Sequence, residues 1–176
     1  HSLFKIMVFY RGQAEAYHNP QMYKKIVKEL GFLETNNISE RIICLNYSVN
    51  FEKYITFKER AISLEKILRF KKNYIRLLYV YTYMIYASIT IERKVSEQYM
   101  RNVEDLLQMD LIPNSKKMDY YSNIATALHE NKLYKEALEY YQKMLIFTDK
   151  NNIWFPSLIC MVHCQRVLGK EIDMPL

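Results

Sequence analysis

The chain has 176 residues, half of them apolar, with only 3 Gly and 4 Pro. That is apolar mass enough for a core without metals or disulfides, and too few turn formers for a many-stranded sheet or a glycine-rich nucleotide loop. The net charge of +6 comes from basic residues interleaved with carboxylates, as in Lys24, Lys25, Lys28 and Glu29, or Lys135, Glu136, Glu139 and Lys143, which is the pattern of solvated helix faces and not of a nucleic-acid surface.

Residues 3–17 read as a first helix with Phe4, Val8 and Ala14 or Ala16 inward, interrupted by Gly12. Asn19 and Pro20 start a second, carrying Met22, Ile26, Val27 and Leu30 and ended by Gly31. Ser39 is expected to cap a third, with Ile42, Ile43, Leu45 and Val49 inward. A fourth lies between Phe51 and Phe70, with Ile55, Ala61, Ile62, Leu64, Ile67 and Leu68 inward. The basic cluster Arg69-Phe70-Lys71-Lys72 falls at its end, where the helix dipole favours cations.

Residues 73–91 form an unusually aromatic helix. Its tyrosines, Tyr74, Tyr79, Tyr81, Tyr83 and Tyr86, point in several directions, so neighbours are expected to enclose it. Ser96 is expected to cap a helix running to Met109, with Met100, Val103, Leu106 and Leu107 inward and Pro113 marking the connection beyond. Three helices follow at 116–130, 134–148 and 153–168, and Gly169 stops the last.

The segment 118–150 carries a joint spacing across two helices: Tyr121-x2-Ile124-Ala125-x2-Leu128, then Tyr134, then Ala137-x3-Tyr141. Small Ala125 and Ala137 let two antiparallel helices approach closely, while Tyr121, Leu128 and Tyr141 fill the space around the contact. The stretch resembles a tetratricopeptide repeat, whose period is about 34 residues, although Ala125 stands where Gly is common and Asp149 near the usual closing Pro. One period onward, Phe155, Leu158, Ile159 and Val162 fall on a solitary helix that would cap a stack. One period back, Val103 and Leu107 take the places of Ala137 and Tyr141.

The expected fold is therefore all-α: a single domain over residues 1–176 of antiparallel hairpins, stacked as a short right-handed tetratricopeptide-like solenoid with a C-terminal capping helix. Such stacks present a concave face to extended peptides. On the first helix of the clear hairpin that face would carry Ser122, Asn123, Thr126 and His129, with Asn123 best suited to a peptide bond because one amide both donates and accepts. Upstream it would show Arg76, Tyr79 and Tyr83, and on the capping helix Ser157, Cys160, His163 and Cys164. Each also reads as an ordinary solvated or core residue.

The degenerate repeats, the capping helix and the Lys, Ile, Asn and Tyr content are similar to the C-terminal domain of the Rgg/PlcR/PrgX/Rap group of bacterial peptide-pheromone receptors. That resemblance implies a quorum-sensing transcription regulator, a homodimer with a signalling peptide in its groove, and an N-terminal helix-turn-helix domain on DNA. No such DNA-binding domain is evident in residues 1–70, and the chain opens with His1-Ser2 in place of methionine, which fits a fragment. A tetratricopeptide-like scaffold for partner proteins, without a DNA-binding role, is the alternative.

Enzyme activity is not expected, since no phosphate loop, zinc-helix motif, dinucleotide fingerprint or nucleophile elbow occurs. Cys160, His163 and Cys164 share one helical face but lack a fourth ligand, so neither a metal nor another cofactor is expected. Three cysteines without framework spacing and the lack of a signal-peptide pattern point to the cytoplasm. No apolar run reaches the roughly 20 residues that cross a bilayer, so no membrane partner is expected.

Overall fold

A computed structural model describes residues 36–48, 54–148 and 155–171, together with Gln21 and Lys25. The expected helices over 3–17 and, those two residues apart, 20–30 lie outside the described residues. Among the described residues every regular element is helical: α1 (Ile38–Ser48), α2 (Tyr54–Phe70), α3 (Tyr74–Glu92), α4 (Glu97–Leu107), α5 (Asn114–Glu130), α6 (Tyr134–Ile146) and α7 (Phe155–Val167). The chain divides into two compact units, His1–Lys66 and Ile67–Leu176.

In the first unit α1 is capped by Asn37, not by Ser39. The Asn37 Oδ1 accepts from the backbone N–H groups of Ser39 and Glu40 at 2.9 and 3.4 Å, which leaves Ser39 inside the helix. Ile42, Cys44 and Leu45 of α1 and Phe57, Ala61 and Leu64 of α2 are buried. Arg41 Nη2 ties the two helices by donating to Ser63 Oγ at 3.1 Å. Ile55, expected inward, is 70% exposed, because it lies two residues before Phe57 and so on the helix face opposite the buried row of Phe57, Ala61 and Leu64.

In the second unit α3 is enclosed, as its aromatic character predicts. Leu77, Leu78, Val80, Tyr81, Met84, Ile85, Ala87 and Ile89 are all buried, and the larger side chains among them each contribute about 1.5–3 kcal/mol. Asn73 starts this helix with its Oδ1 accepting from the Arg76 N–H at 3.2 Å. Helix α3 packs on α4 and α5, α5 on α6, and α7 on both α5 and α6. The sulfur of Met100 on α4 accepts the hydroxyls of Tyr120 on α5 and Tyr140 on α6, each at 3.3 Å. Ser96 precedes α4 but makes no side-chain capping bond; its own N–H instead donates to Ser88 Oγ at 3.2 Å.

The ends of α2, α3, α5 and α7 share a local rule. Lys72, Arg93, Lys132 and Gly169 all have φ between 52° and 65°, the left-handed conformation that satisfies the last carbonyls of a helix. After α5, Leu133 N–H returns to Leu128 C=O at 2.9 Å, and after α7, Lys170 N–H returns to Gln165 C=O at 2.9 Å. Between α5 and α6 the ring contacts run in opposite order along the two helices. Tyr121 meets Phe147 at the far end of α6, while His129 meets Tyr134 at its start. Ala125, Leu128, Ala137 and Tyr141 are fully enclosed between them and their neighbours.

Candidate functional site

The first half of α5 and the last turn of α6 border an open cleft of about 760 Å³, within the range of about 300–1,000 Å³ usual for ligand pockets. Its α5 wall is the helical row Ser115, Met118, Asp119, Ser122 and Asn123; its α6 wall is Met144, Ile146, Phe147 and Thr148. Apolar and hydrogen-bonding groups therefore line one concavity together.

Phe147 is fixed in that wall by Tyr121, whose ring stacks on it with centroids 5.5 Å apart. The Lys117 ammonium lies 5.6 Å from the Phe147 ring centre. Asn123 is exposed and donates from Nδ2 to the Asp119 carbonyl at 2.8 Å. That bond holds the amide against its own helix. Asp119 accepts from Lys116 Nζ at 2.8 Å, and Lys116 in turn stands 5.5 Å from the Tyr79 ring centre. The Asp119 hydrogen bond first, and Tyr79 second, push the Lys116 pKa up, so this ammonium is charged at any physiological pH.

Helix α3 lays a row of aromatic residues beside α5. Tyr79 and Tyr83 stack with centroids 6.3 Å apart, Tyr86 donates its hydroxyl to Glu130 Oε2 at 2.9 Å, and the Arg93 guanidinium meets the Asn131 side chain. Arg76 is half-buried one turn before Tyr79. Of the eight side chains singled out from the sequence, Ser122 and Asn123 line the cleft, and Arg76, Tyr79 and Tyr83 lie on α3.

The others belong to the seam between α5 and α7 or flank it. Ser122 Oγ, at the edge of the cleft, lies 3.0 Å from Ser157 Oγ, and His129 Nε2 lies 2.9 Å from His163 Nδ1. Thr126 is half-buried between Ser122 and His129 in sequence. Ser157 and Cys164, expected on an open face of the capping helix, are buried at 3% and 0% exposure. Helix α7 turns Ser157, Met161, Cys164 and Gln165 inward and leaves Ile159 56% exposed, although it stands one repeat period beyond the buried Ala125. It is apolar on most sides, so its composition alone marks no inner face.

Sequence reasoning did not find Met118, Asp119, Met144 or Phe147. Met144 and Phe147 sit at the end of a helix read only for its packing. Lys116-x2-Asp119-x3-Asn123, a polar row at helical spacing, was the available signal. Among the described residues no group of three His, Cys, Asp or Glu side chains is placed to hold a metal ion, and no helix is long and apolar enough to cross a membrane. No family model, curated protein or solved structure matches the chain.

Proposed function

We propose that residues 67–176 are a short right-handed stack of antiparallel tetratricopeptide-like hairpins, with α3 and α4 as one repeat, α5 and α6 as the next, and α7 as the cap. In this reading the chain is the peptide-sensing part of a bacterial quorum-sensing type transcription regulator. It works in the cytoplasm as a homodimer and reaches DNA only through a further domain. The observation that carries the proposal is the mixed cleft beside Asn123 and Phe147. A peptide side chain enters between Met118, Met144 and Phe147, and the Asn123 amide takes the adjoining backbone.

The test is selection of random heptapeptides displayed on phage against the full chain, followed by calorimetry of the enriched peptide. Enrichment of an apolar-rich consensus whose binding falls at least about tenfold, roughly 1.4 kcal/mol, in both Asn123→Ala and Phe147→Ala supports the reading. No enrichment, or binding indifferent to both substitutions, defeats it. The scaffold alternative draws on the exposed Ile159 and Val167 of α7; it predicts that an α7 surface variant, Ile159→Lys, abolishes capture of a folded partner while the cleft variants do not.

A further inference from the structure

We infer that His129 and His163 form a proton-operated latch that holds α7 against α5. Their facing nitrogens, Nε2 and Nδ1, are 2.9 Å apart, and the rings meet edge to face at 74°. Tyr134, in the first turn of α6, contacts both rings, at 5.6 Å from His129 and 5.5 Å from His163. The two histidines are 34 residues apart, one on α5 and one on α7, and so hold equivalent positions one repeat period apart in the proposed stack.

A bond between two imidazoles needs a proton on one nitrogen and a lone pair on the other. The first added proton preserves it, because an imidazolium donates to a neutral ring. The second proton abolishes it: two N–H groups then face each other across a gap sized for one hydrogen, with ring centroids 5.0 Å apart and like-charged. The surroundings do little to offset this. On α5 Glu130 is the nearby carboxylate, and it already accepts the Tyr86 hydroxyl of α3. From α6 comes the neutral Tyr134, and on α7 Cys160 and Arg166 stand one turn either side of His163, Arg166 adding positive charge. Burial, and then His163, lower the His129 pKa below its ordinary 6.5, against a smaller opposing pull from Glu130.

The sign follows by linkage. His129 takes a proton more readily when α7 is released than when it is docked, so docking is fully favoured above about pH 6.5 and weakens as pH falls from there through the lowered value. The latch does not depend on what the cleft binds.

Hydrogen exchange of the full chain, corrected for intrinsic rates, at about pH 7.5 and about pH 5 tests it. The expected result is a several-fold loss of protection over α7 at the lower pH, with α3 unchanged. His129→Gln, whose amide replaces Nε2 and takes no proton, retains the protection; His163→Asn, whose amide replaces Nδ1, does the same if the first variant does not fold. Equal loss in the variants, or none in the wild type, overturns the latch. An NMR titration of the wild-type imidazoles gives an independent reading: a His129 ring that titrates at its ordinary value, with no response to the state of His163, also overturns it.

Discussion

The rings of Tyr121 and Phe147 lie parallel, 3° apart in plane and 5.5 Å between centroids, and so join the middle of α5 to the residue that closes α6. Phe147 is at once a packing group and a wall of the cleft. Stacked aromatic pairs contribute about 0.5–1.5 kcal/mol beyond their buried area. Phe147→Ala should therefore lower the unfolding free energy by about 1–2 kcal/mol, while Phe147→Leu, which keeps most of the apolar area, loses less. Urea denaturation followed by helical circular dichroism measures both. A Phe147→Leu midpoint equal to that of the wild type would show that the stack contributes nothing of its own.

Ala137 has no exposed surface, and neither has Ala125 on the facing helix. Extra methylenes at a contact of this kind force neighbouring side chains off their rotamers, at a cost of about 1–3 kcal/mol. Ala137→Leu is expected to destabilise by that amount with the helical signal of the folded state intact. A melting midpoint equal to that of the wild type would mean that α5 and α6 are not in close approach there.

The helical character of the described residues and the approximate extents of α3, α5 and α6 were legible in the sequence, which places helices at 73–91, 116–130 and 134–148 and a connection at Pro113. The start of α1 was misread because Asn37 and Ser39 are both competent caps two residues apart, and only backbone geometry chooses between them. The face of α7 was illegible for a different reason. Leu158, Ile159 and Val162 are as apolar as the Met161 and Cys164 that are buried. On α5, Ser122 and His129 each meet a like residue on α7, a pairing that their place in the polar row did not disclose. A polar side chain satisfied across a seam looks the same in sequence as one left to solvent.

Lys132 holds φ at 63° in the turn between α5 and α6, and its side chain is exposed. A Cβ in the left-handed region costs about 1 kcal/mol, a penalty glycine escapes. Lys132→Gly should therefore stabilise by up to about 1 kcal/mol, raising the melting midpoint by roughly 2–4 °C. The same change at Arg93 is expected to gain less, because it also removes the side chain that meets Asn131. A lower midpoint for Lys132→Gly would show that the lysine contributes more through its side chain than its backbone conformation costs.

The rotation of α7 can be read from its thiols. Cys164 has no exposed surface, and burial, with Cys160 adding to it, pushes its pKa up to about 11. Near pH 8 only about one such thiol in a thousand is ionised, and the thiolate is the nucleophile. Cys44 is also buried, whereas Cys160 is partly open. Iodoacetamide near pH 8 should thus modify Cys160 first and Cys164 far more slowly, the two rates converging in urea, as peptide mass spectrometry over time would record. The order discriminates between two placements of the helix. The inward face drawn from the 34-residue repeat alone, with Leu158, Ile159 and Val162 against the hairpin, places both thiols on the open side and predicts comparable rates. Faster reaction of Cys160 requires the face that buries Ser157, Met161 and Cys164, which is also the face that brings Ser157 to Ser122.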